Sequence, residues 1–357
     1  MQQKTDLKSM RAEELEAYVT GTLGLPRFRA GQIWQWLWKG VTSFDEMTNL
    51  SKDIRAKLEE NCYIDVLTVE NKQVSKDGTI KYLWRLMDGN YVESVLMHYH
   101  HGNSICISTQ VGCAMGCKFC ASTLEGRVRN LRASEIIDQV LFAQKESGQP
   151  ISNIVLMGIG EPLDNYDNVL TFLYNVNNEK GLNIGMRHIS LSTCGLCDGI
   201  DRLAQEGLPI TLSISLHAFN DEVRSEIMPV NRRYPIGVLL DTCRRYIQKT
   251  GRRISFEYTL IAGKNDSPQQ ARQLAALLKG MLCHVNLIPV NEVVESGFRR
   301  SSQDRVNAFR DTLERCGINA TVRRHLGGDI DASCGQLRRK KMQQTPQTGQ
   351  QEESKDV

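Results

Sequence analysis

Cys113-Ala114-Met115-Gly116-Cys117-Lys118-Phe119-Cys120 sets three cysteines within eight residues. The stretch follows a strand-like run, Ser104–Thr109, and precedes a helical one, Glu135–Glu146. The thiols therefore sit on the loop that leaves the first strand of what reads as a β–α repeat. A structural zinc site wants four ligands, usually as two CxxC halves. Cys194 and Cys197 are an isolated pair with no such partner nearby. Three thiolates can instead hold three irons of a 4Fe–4S cluster and leave the fourth iron open to a ligand. Phe119, between two of the cysteines, is placed to shield such a group.

Downstream of this loop, strands alternate with helices. Ile154–Met157, His188–Thr193, Ile210–Leu216, Ile254–Leu260, His284–Pro289 and Ala320–Arg324 read as strands. Val169–Val176, Leu196–Gln205, Ile236–Lys249, Pro268–Lys279 and Gln303–Cys316 read as the helices between them. Repeated β–α units predict an α/β fold: a mostly parallel sheet with helices outside. Their number suits a partial, (βα)6-type barrel better than an eightfold one. Upstream, Val66–Val69, Ile80–Met87 and Tyr91–His98 form a β-hairpin region spanning 66–102. Residues 1–65 read as a small helical domain, with Leu15, Val19 and Leu23 on one apolar stripe and Ile33, Trp34, Trp36 and Leu37 on another. The barrel is expected over 103–342. Residues 343–357 lack a large aliphatic side chain before Val357 and read as a disordered tail.

The 357-residue chain is 41% hydrophobic and 24% charged, values that exclude a wholly disordered or fibrous protein. No apolar leader or membrane-length apolar run occurs, so a soluble, cytoplasmic protein is expected. In a reducing compartment its eleven cysteines point to ligands or catalysts rather than structural disulfides.

Further candidates cluster at strand ends. Met157-Gly158-Ile159-Gly160-Glu161-Pro162 closes the second strand of the repeat. Glycines there permit close backbone approach, and the carboxylate can take an ammonium group. Ser192 and Ser215-Leu216-His217 end later strands, and Asn291 follows Ile288-Pro289. That end of a barrel is where ligands bind. With the CxxxCxxC loop, these elements resemble the radical S-adenosylmethionine (SAM) superfamily. Cys106, in Ile105–Thr109, and Cys334, in Gly328-Asp329-Ile330-Asp331-Ala332-Ser333-Cys334-Gly335-Gln336-Leu337, narrow the likeness. Together with Met228-Pro229-Val230-Asn231, they make residues 5–342 similar to the RlmN/Cfr family of radical SAM RNA methyltransferases.

The resemblance implies a definite chemistry. C2 of adenine is electron-poor, so direct methyl transfer to it from SAM is not feasible. In the family, a cysteine matching Cys334 takes a methyl group from one SAM. A second SAM, bound at the open iron of a cluster held by Cys113, Cys117 and Cys120, yields a radical that activates that methyl for addition to the ring. A cysteine matching Cys106 then attacks the sulfur of Cys334 and releases the RNA, leaving a disulfide that must be reduced. Glu93 matches the base that removes the ring proton. Gly160, Glu161, Ser192, Ser215, Leu216, His217 and Asn291 match SAM contacts. The resemblance thus implies one cluster per monomeric chain, two SAM per turnover, and an electron donor such as flavodoxin or ferredoxin. Glu292 stands where the family has proline after the asparagine, and Cys194 stands where small residues are commoner.

Basic pairs recur at Arg232-Arg233, Arg244-Arg245, Arg252-Arg253, Arg299-Arg300, Arg323-Arg324 and Arg338 through Lys341. The tail, net −2, hides a body of +5 behind an overall +3. That body suits phosphate contacts, with the last run placed to grip RNA beside Cys334 and the helical leader as an additional grip. A target base must be unstacked to reach a barrel interior. Within the resemblance, Pro162 after Glu161 matches the members that methylate C2, and so implies C2 methylation of an adenosine in the peptidyl-transferase region of 23S rRNA, with the adenosine 3′ of the anticodon in tRNA as a second expected target. C8 methylation of the same rRNA base, and a non-enzymatic RNA-binding iron–sulfur protein, are the competing readings.

Overall fold

The computed structural model describes residues 4–100, 102–291, 297–324, 326–330 and 335–344. The leader opens with β1 (Thr5–Asp6), α1 (Ala12–Ala17), a wider π turn over Tyr18–Thr22, α2 (Phe28–Leu37), α3 (Lys52–Asn61) and β2 (Cys62–Tyr63). Leu15, Val19, Leu23, Ile33, Trp34 and Leu37 are all buried, so the apolar stripes do face a core. Trp36, on the same helix, is only partly buried and donates its indole N–H to Asn49 at 2.6 Å.

Strands β3 (Thr68–Val74), β4 (Ile80–Arg85) and β5 (Tyr91–Tyr99) follow, then β6 (Gly102–Cys106), β7 (Gln110–Gly112) and β8 (Arg127–Asn130). From there the repeat runs through α4 (Ala133–Ser147), β9 (Asn153–Leu156), α5 (Tyr166–Asn177), β10 (Ile189–Thr193), α6 (Cys197–Glu206) and β11 (Thr211–Ser215). It continues with α7 (Asp221–Ile227), α8 (Ile236–Thr250), β12 (Ile254–Leu260), α9 (Pro268–Leu278), β13 (Cys283–Pro289), α10 (Gln303–Arg315), β14 (Ala320–Val322) and α11 (Gln336–Gln344).

Every neighbouring pair from β6 through β14 in the large sheet is parallel, as the β–α alternation predicts. The sheet order, β14-β13-β12-β11-β10-β9-β6-β5-β4-β3, leaves β14 and β3 as its two edges. It is therefore an open, partial barrel. The hairpin strands are not a separate layer. They pair antiparallel onto β6 and extend the same ten-stranded sheet. Of the expected tail, residues 343 and 344 belong to α11, and 345–357 lie outside the described residues.

Leader and barrel meet through buried ions. Lys8 Nζ lies 2.5 Å from Asp138 Oδ1 on α4 and donates to the Asp65 carbonyl. Burial outweighs that pairing and pushes Asp138 up to about 7. Among the described residues no helix is long and apolar enough to cross a membrane.

Candidate active site

From β4 to β13 the strand registers carry one parity. Lys81 faces Val95, Val95 faces Cys106, Cys106 faces Val155 and Val155 faces Ser190. Alternation then puts Glu93, Cys106, Ser192, Ser213, Ser215, Ser255, Glu257 and Asn286 on the same side. Side-chain bonds agree: Ser190 Oγ is 3.3 Å from Ser213 Oγ, Ser255 donates to Glu257 at 2.9 Å, and Asn286 donates to Glu257 at 2.7 Å. The opposite face, with Leu191, Leu212, Ile214 and Phe256, is buried in the hydrophobic core. Residues far apart in sequence are thus gathered on one polar lining.

The cysteine loop leaves β7 at this end. Gly112 adopts a φ of 76°, and a Cβ there would meet the Gly126 carbonyl at 1.9 Å, so the sharp exit needs glycine. Cys113 N–H donates to that carbonyl at 3.0 Å, and Lys118 N–H to Ile227 O at 2.9 Å. Burial pushes the Cys113 thiol up to about 12 and the Cys117 thiol higher still, with neighbouring thiols adding to the rise. These are protonated thiols, whose protons a bound metal would have to displace. Among the described residues no three Cys, His, Asp or Glu side chains stand ready-converged on a metal ion. The fit to an iron–sulfur cluster lies in the donor set: three soft thiol donors within eight residues on one short, anchored loop.

Behind the loop stand the strand-end residues. Gly160 has a φ of 111°, and a Cβ would strike the Gln110 backbone N at 2.7 Å. Gln110 holds the turn by accepting Glu161 N–H at 2.9 Å. Glu161 is buried; its carboxylate accepts Leu163 N–H at 3.1 Å and Cys194 N–H at 2.8 Å. Burial raises its pKa against those bonds. Leu216 is buried and donates its backbone N–H to Glu257 O at 3.1 Å. His217 takes a left-handed φ of 56°, and its Nδ1 accepts Thr259 N–H at 2.9 Å. Burial, helped by Arg224, drives His217 down to about 3, so the ring is neutral with its proton on Nε2. The Phe119 ring meets it edge-on at 4.9 Å, joining the cysteine loop to the end of β11.

Cys106 and Asn291 share a cavity of about 310 Å³ with Arg300, Arg323, Arg324, Gly327, Gly328, Ile330 and Gln336. Cys334, Glu292 and the rest of 331–334 lie outside the described residues. Both flanks of 331–334 are held by the hairpin region. Gly327 N–H donates to Asp77 at 2.8 Å, Lys76 N–H donates to Asp329 at 3.1 Å, and Ser75 also bonds Asp329. On the far side, Glu93 accepts Gly335 N–H at 2.7 Å and Arg338 N–H at 2.6 Å. Lys81 pairs with Glu93 at 2.9 Å, both buried. The carboxylate expected to act as a base is thus also an N-terminal anchor for α11.

Two parts of the basic pattern are used internally. Arg338 is buried and pairs with Glu125 at 3.0 Å, and Lys341 pairs with Glu70 at 2.6 Å. The expectation that the whole 338–341 run grips RNA is corrected at those two positions. Sequence reading also missed Lys81, Gln110 and Arg224. A lysine inside the apolar run Ile80–Leu83 was the visible signal for the first; nothing local marks the other two.

Known proteins resemble this chain along nearly its whole length. The family model for the radical SAM superfamily matches residues 107–275, and that for the ribosomal RNA large subunit methyltransferase N-terminal domain matches 5–64. "Probable dual-specificity RNA methyltransferase RlmN" of Alkaliphilus oremlandii is 58% identical over 342 residues, 96% of this chain and 99% of that protein. The protein so named in Desulforamulus reducens is 57% identical over 339 residues, covering 94% and 97% of the two chains. The crystal structure of a radical SAM methyltransferase from Sphaerobacter thermophilus superposes with a TM-score of 0.88 at 46% identity, covering 93% of this chain and 98% of that one. The chain belongs to the RlmN family of radical SAM dual-specificity RNA methyltransferases.

Proposed function

We propose that this enzyme methylates C2 of an adenosine in the peptidyl-transferase region of 23S rRNA and the adenosine 3′ of the anticodon in tRNA. Cys334 carries the methyl group and Cys106 resolves the intermediate. The observation that carries this reading is the cavity: Cys106 lines it together with residues flanking 331–334 on both sides, and arginines stand on its wall. The name shared by the relatives, dual-specificity RNA methyltransferase, supports two RNA substrates. Pro162, at the first position of the turn after Glu161, supports C2.

Cys113, Cys117 and Cys120 hold a 4Fe–4S cluster in this reading, and Gly160, Glu161, Ser192, Ser215, Leu216, His217 and Asn291 line the place for SAM. A cluster bound there would supply the one-electron chemistry that cleaves SAM. The chain's own work is positional. Glu161, desolvated and held by two N–H groups, presents a fixed carboxylate side to an ammonium. Neutral His217 offers a hydrogen-bond donor without adding charge. Glu93 holds the helix after Cys334; to take a ring proton, one of its oxygens must exchange an α11 N–H for the base. In resolution, the Cys106 thiolate attacks the Cys334 sulfur and the S–S bond forms; the sulfur–carbon bond breaks with its electron pair leaving on the methylene carbon, which takes up a proton to become the product's methyl group. An external two-electron dithiol reductant resets the pair. Residues 1–65, 66–102 and 103–342 act as RNA-gripping leader, hairpin clamp and barrel, and an external one-electron donor feeds the cluster.

Mass spectrometry of rRNA and tRNA treated with reconstituted enzyme tests this directly: 2-methyladenosine is expected, and 8-methyladenosine overturns the regiochemistry. Cys106→Ala is expected to accumulate a protein–RNA crosslink. Normal turnover by that variant removes the resolving role.

A further inference from the structure

Arg224, on α7, is fully buried at 0% exposure. Its guanidinium donates Nε–H to Leu216 O at 3.2 Å, Nη1–H to Asn231 Oδ1 at 2.9 Å and Tyr234 O at 3.1 Å, and Nη2–H to Cys194 O at 2.8 Å and Ser215 O at 3.4 Å. All five acceptors are neutral. Among the described residues no carboxylate stands within ion-pair distance of it. Hydrogen bonds are satisfied, yet a permanent positive charge sits uncompensated in the interior. Buried charges are ordinarily paired or placed beside a metal centre, because desolvating an ion alone is costly.

The apolar cluster of Cys194, Ile227 and Met228, at the end of α7, has Met115, Cys117 and Phe119 of the cysteine loop packed against it. Arg224 itself bonds the Cys194 carbonyl, so its charge sits on the far side of that contact from the loop. The helix that carries it also receives the cysteine loop, through Lys118 N–H to Ile227 O at 2.9 Å. The missing counter-charge therefore lies on the side where the loop would hold its cluster.

We propose that Arg224 is the fixed counter-charge of the iron–sulfur cluster, a positioning residue that raises the cluster's reduction potential while bracing Ser215 and Leu216. The inference rests on the reading of Cys113, Cys117 and Cys120 as ligands. A 4Fe–4S core of charge +2 with three thiolates carries −1, and one electron from an external donor takes it to −2. A nearby cation favours the second state more, and low dielectric strengthens the effect.

The test uses wild type, Arg224→Lys and Arg224→Gln, each reconstituted with iron and sulfide, with iron per chain measured and the cluster titrated by EPR against dithionite. Glutamine keeps a donor and removes the charge; lysine keeps the charge and gives up the guanidinium fork. At one fixed potential, Arg224→Gln is expected to show about a tenfold lower ratio of reduced to oxidised cluster, equivalent to about 59 mV for one electron. Arg224→Lys is expected to titrate with wild type. A fully loaded Arg224→Gln at the wild-type potential overturns the proposal, as does a lysine variant shifted as far as glutamine. If glutamine prevents loading, the lysine variant decides: full iron at the wild-type potential supports the charge, and loss of iron in both variants assigns the residue to hydrogen-bond scaffolding. Failure of wild type to hold iron counts against the ligand reading instead.

Discussion

His217 shows how one residue joins chemistry to backbone. Its φ of 56° is tolerable because the turn after β11 is pinned: Asn265 Nδ2 donates to the carbonyls of His217 and Thr259 at 2.8 and 2.7 Å. The buried ring titrates near 3 instead of 6.5. A histidine with a depressed folded pKa binds fewer protons folded than unfolded. Its effect is therefore absent above about pH 6.5 and becomes destabilising as pH falls toward 3. From pH 8 to pH 5 it is expected to remove about 2 kcal/mol of stability. His217→Asn keeps an acceptor for Thr259 N–H and suits the left-handed backbone. Denaturant unfolding at the two pH values is expected to show a drop smaller by that amount in the variant. An equal drop in both proteins means the imidazole is protonated in the fold.

At the scale of elements, the hairpin is the less expected finding. Periodicity marked Tyr91–His98 as a strand and Ser75–Gly78 as a turn, and both are present. It could not show that the turn reaches residues 327 and 329, because those bonds close across about 250 positions and depend on how the sheet curls. The β–α repeat was legible because each unit is locally patterned; Ile254–Leu260 is bounded as expected. The short α7 was not, since its seven residues carry no periodic stripe, and with it went Arg224. The cysteine loop and strand-end residues were legible as motifs. The buried partners Lys81 and Gln110 were not, because pairing is decided by tertiary packing rather than spacing. The clamp itself carries a prediction. Asp77 accepts Gly327 N–H and Thr79 N–H, which hold its carboxyl well below the ordinary range. Asp77→Ala loosens one flank of 331–334 while leaving the cysteine loop untouched. Methyl loading of Cys334 is expected to slow about tenfold, the equivalent of removing one charge-assisted hydrogen bond. Iron content is expected to stay at the wild-type level. Unchanged loading, followed by mass spectrometry of the protein, removes the clamp from the mechanism.

Over the whole molecule, the basic excess is unevenly distributed. Arg233, Arg244 and Arg245 pair with Asp198, Asp241 and Asp201 on the outer helices, so much of their charge is balanced locally. Arg300, Arg323 and Arg324 are exposed where they line the cavity that holds Cys106. Concentrating cation at a concave mouth focuses the field on the place where a phosphate-bearing substrate must thread a base inward. Binding there releases counterions, and the steepness of the salt dependence reports how many phosphates are engaged. Arg323→Gln with Arg324→Gln is therefore expected to weaken binding of an rRNA fragment. The slope of log K against log salt is expected to flatten by about 0.7–0.9 for each phosphate no longer neutralised. Arg244→Gln with Arg245→Gln removes the same formal charge from the outer helices and is expected to leave the slope within error of wild type. If the two double variants flatten the slope equally, net charge rather than its placement governs RNA capture, and the arginines at the mouth have no privileged role.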